Sequence, residues 1–205
     1  SYLAVIVLTP VSLFIYKNNK KKIGEGANGE NKTFFSKSLL TGGALCGIVL
    51  CLASASQQYG IVLSGVGKSG FLTTLYILMV PLLGLLFKRK VNPVFCLCII
   101  IATTGMYFLC VTDVGGITAG DFLLILCAFF FAVQIMIVDH YVEKVDGVRL
   151  SLVQFFITAI ISTVAAFAFE EISVEAIKSA WFSVFYAGVL SSGIAFTLQI
   201  VAQKN

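Results

Sequence analysis

Apolar residues gather in long unbroken runs, and polar residues are confined to the short stretches between them. Seven such runs can be marked, at 2–16, 34–63, 69–87, 93–111, 121–138, 150–169 and 181–202. Apart from the first, each is near or above the roughly 20 residues that an α-helix needs to cross a hydrocarbon layer about 30 Å thick. The runs predict helices because a backbone N–H or carbonyl in lipid must find its partner within its own segment. Barrel strands are excluded, since they would alternate apolar and polar positions over about ten residues, and these runs are longer and do not alternate. The first run rises only about 22 Å at 1.5 Å per residue. The expectation is that it is the later part of a helix that begins before Ser1, in a chain with no signal-peptide n-region.

The connections carry turn and charged residues. Residues 17–37 are rich in Lys, Asn and Gly; Lys88-Arg89-Lys90 follow the third run and Pro93 opens the fourth; Gly115-Gly116 and Gly120 mark a turn before the fifth. Residues 139–149 are polar, and the acidic stretch 170–179 is expected to form a short surface helix. Alternating the connections from side to side places Lys17, Lys20, Lys21, Lys22, Lys32, Lys37, Lys88, Arg89, Lys90, Lys144, Arg149 and Lys204 together, and leaves only Lys68 and Lys178 opposite. Basic loops stay in the cytoplasm, so residues 17–37, 88–92, 139–149 and 204–205 are assigned there. The expected location is the plasma membrane (a bacterial inner membrane), crossed several times.

Composition points the same way. Hydrophobic residues make up 59% and charged residues 12% of the chain, against about 45–50% and 25% in soluble domains. The net charge of +4 lies in topological clusters rather than on a recognition face, so nucleic acid is not expected as a partner. Cys46, Cys51, Cys96, Cys98, Cys110 and Cys127 all fall within apolar runs, with no paired C-x-x-C and no His at ligand spacing. They read as packing residues, and neither disulfides, a metal nor any other cofactor is expected.

Residues 43, 45 and 58 recur 145 positions later, where Gly43, Leu45 and Gln58 align with Gly188, Leu190 and Gln203. A repeat of five helices is odd-numbered, so successive units would insert with opposite orientation, as in many secondary transporters. More specific is the stretch Gly65-Val66-Gly67-Lys68-Ser69-Gly70-Phe71-Leu72-Thr73-Thr74-Leu75-Tyr76, continuing through Met79-Val80-Pro81-Leu82-Leu83-Gly84. With Gly120-Asp121-Phe122-Leu123, with Asp139 followed by Leu152-Val153-Gln154-Phe155, and with Ser192-Gly193-Ile194-Ala195-Phe196-Thr197-Leu198-Gln199, it resembles the EamA family of the drug/metabolite transporter superfamily. The resemblance implies an all-α membrane protein, an inverted-repeat bundle of ten helices with both termini cytoplasmic. The seven runs would be helices two to eight. Residues 1–112 would be a partial first repeat (helices two to five), and residues 113–205 a partial second repeat (helices six to eight). It further implies a secondary transporter that exports or exchanges small metabolites, amino acids or drugs by alternating access between the repeats.

The residues suggest where a pathway would run. Lys68, set among Gly65, Gly67 and Gly70 at the start of a predicted helix, adds a full charge to the positive end of the helix dipole and suits a carboxylate or phosphate. The alternative is a lysine reaching outward to the headgroups. Thr73 and Tyr76 share a helix face, and Gln58, Gln134 and Gln199 are further polar groups at membrane depth, where such groups tend to face a cavity or another helix. Pro81, mid-run with Gly84 one turn on, is a candidate hinge. The small residues Gly42, Gly43, Ala44 and Gly47, and Gly188, Ser191, Ser192 and Gly193, are expected at helix–helix contacts.

Against an intramembrane enzyme, there is no His-Glu-x-x-His, no paired membrane Asp, and the sole His is His140 at an interface; no catalytic residue is assigned. A retinal protein would need a lysine within its last helix, and the run 181–202 holds none; the alternative to a transporter is a non-transporting or enzymatic multi-span membrane protein. The expected partners are a small-molecule substrate and the lipid bilayer, and a homodimer is an open arrangement. The assigned orientation has a direct check: in intact cells Lys20 should resist a membrane-impermeant amine reagent and react after lysis, and modification from outside would reverse the topology.

Overall fold

The computed structural model describes residues 2–22, 36–86, 97, 100–101, 104–105, 108, 118–169, 181–195, 198–199 and 202. These residues form α1 (Tyr2–Lys22), α2 (Lys37–Ser64), α3 (Val66–Thr74), α4 (Tyr76–Leu86), α5 (Ala119–Val142), α6 (Gly147–Phe169) and α7 (Trp181–Tyr186), and a π-helix at Ala187–Ala195. Among the described residues, four stretches are long and apolar enough to cross a membrane: Lys37–Ser64, Val66–Gly84, Ala119–Val142 and Gly147–Ala168. They correspond to the second, third, fifth and sixth predicted runs. The protein is therefore an all-α membrane protein. Val62 and Val66, each 78% exposed, and Phe167 at 74% are placed as lipid-facing side chains.

Three features differ from the predicted segments. The first helix continues through Lys17–Lys22, because lysine is a good helix former; its apolar part is the shorter Tyr2–Leu13. The third run is split at Leu75. There the Leu75 N–H donates to the Leu72 carbonyl at 3.3 Å, and the Thr74 hydroxyl donates to the Gly70 carbonyl at 2.6 Å, a back-bond that Thr158 and Thr163 also make within the unbroken α6. The seventh run changes from α7 to a π-helix at Ala187, for which the sequence offers no visible cause. Apart from Leu97, Ile100, Ile101, Thr104, Gly105 and Phe108, which are helical and exposed, the fourth predicted run lies outside the described residues. So do the acidic stretch 170–179, Gly115-Gly116 and the 112/113 repeat boundary.

Helix starts are set by short polar side chains. Ser36 Oγ accepts the Leu39 N–H at 3.2 Å at the start of α2. Asp146 Oδ1 accepts the Val148 and Arg149 N–H groups at 3.0 and 3.4 Å at the start of α6. Each satisfies donors that the helix itself cannot.

The chain divides into two compact units, Ser1–Ile48 with Ile137–Asn205, and Val49–Met136. In the first, Leu39 and Cys46 of α2 pack with Val138 and Val142 of α5 and with Leu150 and Val153 of α6. Glycines bring α2 and α6 into near-backbone contact. A Cβ on Gly47 would meet the Gln154 carbonyl at 2.8 Å and Ile157 Cβ at 2.9 Å, and one on Gly43 would run into Val153. The gap is bridged by the Thr158 hydroxyl, which donates to the Gly47 carbonyl at 3.0 Å. Gly188 sits as closely against Leu3. In the second unit Gly60 of α2 meets Leu124 and the Gly120 carbonyl of α5. This is the small-residue contact expected where lipid removes the hydrophobic drive and dispersion must hold helices together.

Two glycines should respond oppositely to alanine. Gly65, between α2 and α3, has φ 78° and ψ 163°, a region that only glycine occupies without strain. Gly65→Ala should therefore cost about 1–3 kcal/mol, although nothing lies within 4 Å of the new methyl. Gly70, inside α3 and equally uncrowded, should gain up to ~1 kcal/mol as Gly70→Ala. Thermal unfolding of both variants in detergent measures the difference; equal shifts would contradict it.

Candidate functional site

The second unit holds five of the six pathway candidates. Its defining feature is a charge pair between α3 and α5. The α5 start is a reciprocal cap: Asp121 Oδ2 accepts the Thr118 N–H at 2.8 Å, while Thr118 Oγ1 accepts the Asp121 N–H at 3.4 Å. The Asp121 N–H is shared with the Thr118 carbonyl at 3.1 Å, and a carboxylate in the first turn complements the helix dipole. Lys68 Nζ donates to the same Oδ2 at 2.6 Å. The Ser64 and Thr118 hydroxyls lie 2.9 Å apart. This cluster is possible because Gly60 and Gly120 let the ends of α2 and α5 approach until each glycine's Cβ would lie about 3.1–3.2 Å from the other's carbonyl oxygen.

The Asp121 side chain is 5% exposed and that of Lys68 24%. The carboxylate is thus fixed and enclosed, whereas the ammonium sits at the edge of the contact with a route to water. Lys68 was singled out from the sequence; Asp121 stood there only within the stretch Gly120-Asp121-Phe122-Leu123. The missing signal was that both charges fall on the same side, each in the first turn of its helix. One such coincidence does not identify a pair until the helices are placed side by side.

Further along, Tyr76 at the start of α4 stacks obliquely on Phe131 of α5, with ring centroids 6.0 Å apart. Phe131 lies one turn before Gln134, which is 1% exposed. The pairs Lys68–Asp121 and Tyr76–Phe131 give a parallel register, the sense expected for the third and fifth runs. Tyr76 and Gln134 therefore occupy neighbouring turns of adjacent helices. Thr73, one turn before Tyr76, has a buried hydroxyl that makes no hydrogen bond to the described residues. Gln58 is exposed on α2, and Gln199 is exposed on the chain beyond the π-helix, in the other unit; neither joins the α3–α5 group. Pro81 lies inside α4, while the interruption in the helix lies at Leu75, six residues earlier.

Residues 118–205, starting at the Thr118 cap, match the EamA-like transporter family. This part of the chain is similar to an EamA domain. Over 122 residues the chain is 30% identical to an uncharacterized transporter of Archaeoglobus fulgidus, a match covering 57% of the chain and 37% of the relative. The chain thus spans little more than a third of the length of the curated relative it matches. No solved structure matches it. Within the matched segment, Asp121 and Gln134 are the buried polar residues of α5.

The unequal exposure of the ion pair gives a stability prediction. Lys68→Ala strands an enclosed carboxylate, and breaking a buried pair from one side costs about 3–5 kcal/mol. Asp121→Asn keeps an acceptor for the Thr118 N–H and leaves a lysine able to turn to water. Lys68→Ala should therefore lower the unfolding temperature more than Asp121→Asn; the reverse order would mean that the carboxylate is not enclosed.

Proposed function

We propose that the full-length protein is a secondary transporter that exports or exchanges small organic solutes across the plasma membrane. Metabolites, amino acids and drugs are the substrate classes. The observation that carries the reading is the EamA-like match of residues 118–205 on a chain with four membrane-length helices. The relative named as a transporter supports it. The pathway runs between two inverted repeats, the first within residues 1–112 and the second within 113–205, and opens alternately to either side. The basic loops are cytoplasmic, and a homodimer remains open as an assembly.

The solute is handled by neutral hydrogen-bonding groups and aromatic rings. Thr73, Tyr76 and Gln134 form the candidate lining on α3, α4 and α5, with Lys68 near its outer end. Thr73 supports the assignment physically, because a buried hydroxyl with no hydrogen bond to the described residues gains from a solute that offers one. Gln58 and Gln199 are further candidates along the path, and Pro81, with no N–H for the Ile77 carbonyl, is a candidate point of flexure. No group on these helices calls for bond-making chemistry.

Full-length protein in proteoliposomes, screened for counterflow of amino acids, organic cations and organic acids, tests the function. Flux above protein-free vesicles is expected for at least one class, and Gln134→Leu should reduce it about tenfold, the loss of roughly 1.4 kcal/mol of binding, at unchanged unfolding temperature. Absence of flux for every class would overturn the transport reading, and wild-type flux in Gln134→Leu would remove Gln134 from the path.

A further inference from the structure

The α3–α5 charge pair sits on an element built unlike the other spans. Helix α3 has nine residues and is bounded at both ends by places where the chain can turn. Gly65 precedes it in a backbone conformation reserved for glycine. Leu75 follows it, where the ladder tightens to an N–H donation from Leu75 to the Leu72 carbonyl at 3.3 Å. The span 66–84 is also the least enclosed of the four, with 11% of its most apolar window buried against 39% in each of the others. Most of α3 is small or polar, including Gly67, Ser69, Gly70, Thr73 and Thr74, so it has little side-chain volume with which to key into a neighbour.

The other side of the contact is rigid. Asp121 is fixed by the cap with Thr118, Thr118 meets Ser64, and α2 and α5 touch through Gly60 and Gly120. We propose that Lys68–Asp121 is a releasable latch: it holds α3 against α5 in this conformation and opens when α3 pivots about Gly65 and Leu75. An enclosed ion pair is a poor static brace, because apolar residues of similar volume usually hold two helices as well without the desolvation cost. As a latch it is well suited. It is directional and short when closed, and the 24%-exposed Lys68 head has water to receive it when open. The latch takes its purpose from the alternating-access reading, but its test does not depend on transport.

The test uses full-length protein in detergent carrying Ser69→Cys as a reporter, since Ser69 is 2% exposed beside the latch. Maleimide labelling of residue 69 is followed by peptide mass spectrometry, which separates it from the native cysteines. Lys68→Met and Asp121→Asn should each speed labelling about tenfold. The double variant should label no faster than either single variant, because both remove one contact. It should also unfold at the temperature of its Ser69→Cys parent, because it leaves no unpaired charge.

Labelling of the double variant at the parent rate would overturn the latch. So would additive effects of the two changes, or a rise in labelling that only tracks a fall in unfolding temperature. If Asp121→Asn fails to fold, Lys68→Met still decides by whether its labelling rises beyond what its unfolding temperature explains. Accelerated labelling in a protein that moves no solute would uphold the latch and overturn the transport reading.

Discussion

Lipid leaves the backbone no solvent to bond with, and the architecture of this chain follows from where its N–H and carbonyl groups can be satisfied. Within each span the helix ladder does so. At the ends the burden passes to Ser36, Thr118 with Asp121, and Asp146, each supplying an oxygen to donors left over by the first turn. At Leu75, where the N–H turns to the Leu72 carbonyl, the helix is interrupted. The same constraint gives the Thr118–Asp121 cap a second role, because it fixes the carboxylate that Lys68 meets.

Contacts between helices obey a different rule. With apolar surface equally content against lipid or protein, helices gain by approaching until their atoms touch. Gly43 and Gly47 against α6, and Gly60 against Gly120, remove the side chains that would hold the backbones apart. Hydroxyls then act across short gaps, as Thr158 does to the Gly47 carbonyl and Ser64 to Thr118. The result is a close α2–α6 contact in one unit and a close α2–α5 contact in the other. The EamA-like match begins at the residue that caps α5.

Much of this was legible in order along the chain. The lengths of the apolar runs fixed the second, third, fifth and sixth spans to within a few residues, since crossing lipid demands a minimum length and forbids interruption by charge. The motif around Lys68 and the opening Gly120-Asp121 were visible as unusual residues in membrane context, and the small residues at 42–47 as a contact face. The split at Leu75 was not, because the candidate for flexure read from the sequence was Pro81. A proline is conspicuous in a string of letters, whereas the Leu75 N–H turning to the Leu72 carbonyl is recognisable only once the backbone is placed.

Taken alone, the sequence determined that this is a helical membrane protein, where most of its described helices run, and which way up its basic loops would place it. Those properties depend on transfer between water and lipid, which each segment undergoes by itself. Only the tertiary structure decided that Lys68 belongs to Asp121, 53 residues away, and that Tyr76 lies against the helix carrying Gln134. Such pairings depend on the rotation and depth at which one helix meets another, set by many small dispersion contacts. No single stretch of sequence encodes that sum.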